Sequence, residues 1–315
     1  MTKKIIIIGS GNSGSGAIFD YLAGKAKNLS LLNGKEFRIT HDTDGLNDLF
    51  INNYNNFTIN NSASSFERFE KYFTNSFKNN KNKNNLHREL KTFLNQIIYL
   101  KYYGLPSFVR NKFSLNKKIK FYFDRLVLKK NINNIKLFRM TLPVNKKLFL
   151  NLSSKFINNI IKILHPKSEK FDNIIINQGG SFWCPNESAK FYDNKKIIVV
   201  SRDPRSIFWS MKRTQAFAYP SQNVDTFILW YKKIQELSTN RLEGGGNLLN
   251  INYENFLENF YVEKKIINKF IGQNNSLISN FDLEHSKKNL YKAKYKLQKY
   301  ELKKIESKLK KYLTW

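Results

Sequence analysis

The chain has 315 residues, is 41% hydrophobic and carries 54 Lys and Arg against 24 Asp and Glu, a formal net charge of +30. That apolar content suffices for a sizeable core, while no apolar run approaches the roughly 18 residues a membrane-spanning helix needs, which excludes an integral membrane protein. The single cysteine, Cys184, excludes an internal disulfide framework and a multi-cysteine metal site, and no metal is expected.

Basic charge of this size attracts phosphates and releases counterions, which raises a nucleic-acid reading. The excess is mostly Lys, scattered among abundant Asn, Ile, Phe and Tyr. A composition bias leaving a solvated basic surface explains that better, attraction of an anionic substrate comes second, and no nucleic acid is expected as a partner.

The first element is the run Lys4 to Ile8, closed by Gly9, which predicts a buried parallel strand. It is too short for the ~7–15-residue core of a secretory signal. Ser15 to about Ala26 follows as an amphipathic helix, with Ile18, Tyr21, Leu22 and Lys25 at helical spacing. Glu36 to Thr40 predicts a second strand. Residues from about 60 to 165 hold few strand signals; Leu86, Leu90, Phe93, Leu94 and Ile97 predict a helical insertion, with Asn79 to Asn85 as an exposed loop. Further strands are predicted at Ile174 to Ile176, Lys196 to Ser201 and Leu248 to Tyr253, the last preceded by a Gly244–Gly246 turn. Leu302, Ile305, Leu309 and Tyr312 predict a terminal helix. Strands alternating with helices imply an α/β domain built on a doubly wound parallel sheet, with a large helical insertion at about 60–165.

Two segments carry chemistry. The first is Gly9-Ser10-Gly11-Asn12-Ser13-Gly14-Ser15-Gly16, leaving a strand and entering a helix. A helix start offers unpaired N–H groups and partial positive charge, and glycines let an anion approach the backbone. A nucleotide-hydrolysing loop would need Lys where Ser15 stands. Gly9, Gly11 and Gly14 match the dinucleotide spacing, but Glu36 and Asp42 are both poorly placed as its acidic partner. The second segment is Val200-Ser201-Arg202-Asp203-Pro204-Arg205-Ser206-Ile207-Phe208-Trp209-Ser210. Here Asp203 predicts a helix cap and Pro204 the first helical position. A strand-end Arg and a helical Ser can grip one phosphate from two sides.

In this order the two segments resemble the P-loop-like sulfotransferases, which use the donor 3′-phosphoadenosine 5′-phosphosulfate. The resemblance places Gly11, Asn12, Ser13, Gly14, Ser15 and Gly16 at the donor's phosphosulfate and Arg202 with Ser210 at its 3′-phosphate. Asn250 to Phe256 is similar to a strand end common in that family, and Ser286 to Asn289, with Lys287, to its late donor-binding loop. The resemblance implies a P-loop NTPase-like fold, no metal, and two anchors at opposite ends of the donor. Asn12 stands where the family usually has Lys or Arg; Arg38, Arg139 and Lys287 are candidates to replace that charge. Gln178 stands nearest to the family's catalytic His; it can orient a hydroxyl or the sulfate, but cannot take a proton. His41 and Asp42 are therefore the leading candidates for the base.

The expected activity is sulfuryl transfer to a hydroxyl, or an amine, of a carbohydrate-like acceptor entering beneath the insertion. Two alternatives stay open: a non-catalytic binder of anions, glycans or nucleic acid on the same fold, and a dinucleotide-dependent enzyme. With no targeting signal read, a cytoplasmic location is expected, with peripheral membrane contact left open.

Overall fold

The computed structural model describes residues 2–111, 113–127, 137–216, 218–237, 245–274, 279 and 281–315. Within them the chain forms two compact units, Met1–His41 with Ile161–Trp315, and Asp42–Ile160.

The first unit is built on the isoleucine run. Ile5, Ile6, Ile7 and Ile8 are all fully excluded from solvent in β1, Lys3–Gly9. A strand buried on both faces belongs inside a sheet whose two sides are covered. The strands β2 (Asn28–Ser30), β5 (Asn173–Asn177), β6 (Lys195–Ser201) and β7 (Leu248–Asn252) join it in the order β2-β5-β1-β6-β7, while β3 (Ile98–Gly104) and β4 (Phe138–Pro143) lie in the second unit. Every pairing in the five-stranded sheet is parallel.

One face packs Ile5, Ile7 and Ile175 against Ile18, Tyr21 and Leu22 of α1 (Ser15–Ala23) and against Ile267 and Ile271 of the helix Phe260–Ile271. On the other face Ile6 and Ile176 lie beside Gly179 and the hydroxyl of Tyr192, too close for any side chain on that glycine. The doubly wound parallel sheet expected from the sequence is thus present, with β1 at its centre. Neighbours β5 and β6 flank β1, so the connections diverge around it. A crevice at the carboxyl ends is where α/β sheets bind ligands.

Two predictions of local structure change. Glu36 to Thr40 is not a strand, and the edge strand is Asn28–Ser30. Phe37 and Ile39 are buried, which produced the strand-like alternation. The segment instead caps the end of β5: the Phe37 amide donates to the Asn177 carbonyl at 2.9 Å, and the Thr40 hydroxyl to the Gly179 carbonyl at 2.7 Å. Helix α1 stops at Ala23, where the Gly24 amide bonds back to the Asp20 carbonyl.

The second unit contains the predicted helix at Lys83–Ile97, with Leu86, Leu90, Phe93, Leu94 and Ile97 as its buried face. Asn79 to Asn85 is a turn that passes into this helix at Lys83. The unit also holds an antiparallel ladder of β3 and β4 that its sparse strand signals did not announce. The terminal helix forms at Lys299–Lys308, and Ile305 and Leu309 join a core cluster with Phe208 and Phe227. Of the Gly244–Gly246 turn, Gly244 lies outside the described residues. Among the described residues no helix is long and apolar enough to cross a membrane.

Candidate active site

Three neighbouring strands each deliver one part of the site at their carboxyl ends. β1 runs into the Gly9–Gly16 loop. In the β1–β5 register Ile7 faces Asn177, so Gln178 follows directly beside the loop. In the β1–β6 register Gly9 faces Val200, so Arg202 emerges two residues beyond.

Local chemistry explains the loop's shape. Asn12 and Gly14 adopt left-handed backbone conformations, with φ of 63° and 84°. Asn and Gly are the residues that visit that region at least cost. The Ser13 amide closes a turn onto the Ser10 carbonyl at 3.0 Å. Gly14 precedes the first turn of α1 and contributes no side-chain cap. The glycines also admit close neighbours: a Cβ on Gly9 would come within 2.0 Å of the Ser13 hydroxyl, and one on Gly11 within 2.4 Å of the Tyr219 ring.

Gln178 ties the loop to β5. Its side-chain oxygen accepts from the Gly9 amide at 3.4 Å, and its side-chain nitrogen donates to the Ser15 hydroxyl at 3.1 Å. Both ends of the amide therefore hold the loop.

Arg202 ties the loop to β6. Its Nη1 donates to the main-chain oxygen of Asn12 at 3.0 Å. Its guanidinium lies 4.6 Å from the centre of the Tyr253 ring, and its Nε is 3.7 Å from a Glu254 oxygen. Burial pulls the Arg202 pKa below its ordinary value, opposed by Tyr253 and Glu254. Burial likewise raises Glu254, opposed mainly by Arg202. The Glu254 carboxylate also accepts from the Asp203 amide at 3.2 Å.

The helix after β6 forms as its sequence predicts, at Pro204–Arg213, with the Asp203 side chain accepting from the Arg205 amide at 2.8 Å. Nearly two turns in, Ser210 donates its hydroxyl to the side-chain oxygen of Asn12 at 3.0 Å. The two segments expected to hold opposite ends of a donor are thus in direct contact, with Asn12 as the joint.

Among these groups Ser13 stands out. The residue is 1% exposed, and its hydroxyl has no hydrogen-bond partner among the described residues. Buried hydroxyls are normally satisfied. An unpaired one beside the uncapped start of a helix suits an anion, because the hydroxyl can donate and the helix N–H groups supply partial positive charge. The loop, Gln178, Arg202 and Ser210 therefore form a candidate anion-binding site at the carboxyl end of the central strand of an α/β sheet.

Comparison with known proteins gives distant likenesses alone. No family model matches the chain, and no curated protein matches it. Solved structures that are similar include three sulfotransferases. The sulfotransferase domain of an olefin synthase from Synechococcus PCC 7002 has 15% identity and a TM-score of 0.40, over 87% of this chain and 74% of that one. The sulfotransferase domain of the curacin biosynthetic pathway has 13% identity and a TM-score of 0.42, over 98% of both chains. A sulfotransferase from Mycobacterium tuberculosis H37Rv has 7% identity and a TM-score of 0.38, over 92% and 77%.

The remaining predicted residues divide between the two units. His41 is half-buried and follows Thr40, whose hydroxyl is anchored to Gly179 beside Gln178. Asp42 belongs to the second unit, where its carboxylate accepts from the Tyr72 hydroxyl at 3.1 Å. Each cation proposed to replace the charge missing at Asn12 faces a carboxylate: Arg38 with Glu36 at 3.1 Å, Arg139 with Glu70 at 2.6 Å and Lys287 with Glu284 at 3.4 Å. Arg202 brings a positive charge to the loop through the main-chain oxygen of Asn12. The Tyr253-Glu254 pair that packs Arg202 sits in a motif legible in the sequence. Tyr219, packed over Gly11, carried no sequence signal.

Proposed function

We propose that the chain is a sulfotransferase that moves a sulfuryl group from 3′-phosphoadenosine 5′-phosphosulfate to a hydroxyl, or an amine, of a carbohydrate-like acceptor. The observation that carries this reading is the buried, unpartnered Ser13 hydroxyl at the uncapped start of α1, on a loop that Arg202 touches. These groups fit a phosphate or sulfate, and the donor would supply the sulfuryl group.

In this reading the chain positions more than it reacts, because such transfers need little covalent help. Amides of Asn12 to Gly16 and the Ser13 hydroxyl bind the phosphosulfate end. Gln178 keeps the loop in shape. Arg202 and Ser210 bind the 3′-phosphate once the Asn12 side chain turns away from Ser210. Lys287 is a further donor contact on the resemblance alone. His41 takes the acceptor's proton, with Asp42 as the alternative base.

Calorimetric titration with adenosine 3′,5′-bisphosphate, followed by radiolabelled sulfate transfer to a panel of glycans, tests both halves. Binding with transfer supports the reading; absence of binding overturns it. One observation favours a second reading. Ser210 is already bonded to Asn12, and Arg202 is 8% exposed. Binding without transfer to any acceptor would make the chain a non-catalytic anion binder on the same fold.

A further inference from the structure

We propose that the Leu115–Leu126 helix of the second unit docks the protein on an anionic lipid surface. The inference is independent of the sulfotransferase reading.

The helix faces the wrong way for one whose apolar side forms core. Leu115, Ile119, Tyr122, Phe123, Leu126 and the following Val127 are exposed by 72%, 59%, 44%, 52%, 69% and 62%. At 3.6 residues per turn they fall within one arc of roughly 140°. Phe121, on the opposite side, is the buried residue, 4% exposed and edge-on to Phe113 at 6.3 Å. The helix is therefore held by its back and presents a continuous apolar stripe outward. Soluble helices bury such a stripe, and one left open marks an interaction surface.

Charge selects the occupant. Lys118 lies beyond one border of the stripe and Lys120 beyond the other, with Lys117 behind, while Asp124 is the helix's one acidic residue. Lysines bordering an apolar face can lay their stems along it and lift their ammonium groups to headgroup level. Aromatic and aliphatic residues on one side and lysines beside them are the composition of helices that lie in a bilayer interface. Two copies of this face packed together would bring lysine rims of like sign into contact. A bilayer of anionic lipid meets both features, and the overall charge of +30 adds long-range attraction.

The test is flotation of the full chain with vesicles of phosphatidylcholine alone or of equal parts phosphatidylcholine and phosphatidylglycerol. Wild type should float with the anionic vesicles and not with the neutral ones. Ile119→Glu with Phe123→Glu should lower partitioning at least roughly tenfold. Its circular dichroism and melting temperature should match wild type, because both side chains are exposed. Lys118→Gln with Lys120→Gln should also weaken binding, and it keeps the test usable if the glutamate variant misfolds. Three results would overturn the proposal: no flotation of wild type, equal flotation of the glutamate variant, or a wild-type dimer that the glutamate variant converts to monomer.

Discussion

Ser210 donates its hydroxyl to the side chain of Asn12 across 3.0 Å, joining segments 198 residues apart in sequence. Arg202 reinforces that joint from one side through the Asn12 main-chain oxygen. A single asparagine thus occupies the hydroxyl that the proposed function assigns to a 3′-phosphate, and links the loop after β1 to the helix after β6.

Removing that side chain should expose Ser210. Asn12→Gly keeps the left-handed backbone without strain. A neutral hydrogen bond contributes about 0.5–1.5 kcal/mol net. Adenosine 3′,5′-bisphosphate should therefore bind roughly threefold to tenfold more tightly to the variant, read by calorimetry. Weaker binding would mean that Asn12 contacts the ligand rather than competing with it.

Arg202 needs a paired substitution. Arg202→Ala alone leaves Glu254, 3% exposed at its side chain, without its charged neighbour. Breaking a buried pair costs about 3–5 kcal/mol. Arg202→Met with Glu254→Gln removes both charges and should melt closer to wild type than the single variant does. Each lost charge-assisted bond is worth about 1.5–3 kcal/mol. Bisphosphate affinity should drop tenfold or more in the double variant, and unchanged affinity would remove Arg202 from the donor site.

Two glycines in one loop should respond with opposite sign. At Gly14, with φ of +84°, an added Cβ would meet the Tyr253 ring at 2.3 Å. The left-handed conformation alone costs an alanine about 1–2 kcal/mol, and the clash adds to it. At Gly16, inside α1, an added Cβ meets nothing within 4 Å. Gly16→Ala should stabilise by about 0.5–1 kcal/mol. Urea unfolding of both variants checks the contrast.

His41→Ala should lower kcat more than it raises KM for the donor, because a base acts on the acceptor. Asp42→Ala is the comparison. A loss confined to Asp42→Ala would move the base into the second unit. Full activity in both would place it elsewhere. General-base removal typically costs about 100-fold or more in rate.

Lys25 predicts a pH effect away from the site. It is 1% exposed, its Nζ bonds the Asn268 side chain, and its pKa is pulled down to about 8 by burial, assisted by Lys264. In the unfolded chain the same amine titrates near 10.4. Between these values the unfolded state holds more protons, so stability rises with pH through that window. It is lost as pH falls through 8. Wild type should therefore gain melting temperature relative to Lys25→Met between pH 8 and pH 10, by roughly 2–4 °C per kcal/mol. A constant gap would mean that Lys25 stays charged when buried.

What the sequence alone determined is local. Ile5 to Ile8 followed by glycines can only be a buried strand opening into a tight loop, and Asp203-Pro204 dictates a helix start; both depend on neighbours a few residues away. The parallel sheet followed from repeating that pattern. Other features were decided by contacts between distant segments. Phe37 and Ile39 alternate like a strand, yet the Phe37 amide finds its partner at the end of β5, already flanked by β1 and β2. Lys25 shares the helical spacing of Ile18, Tyr21 and Leu22, and the partner its buried amine meets, Asn268, is 243 residues away in sequence. The cation at the loop was sought in Arg38, Arg139 or Lys287, whereas β6 brings Arg202 to the backbone of Asn12. Strand register sets those meetings, and register is a property of the assembled sheet.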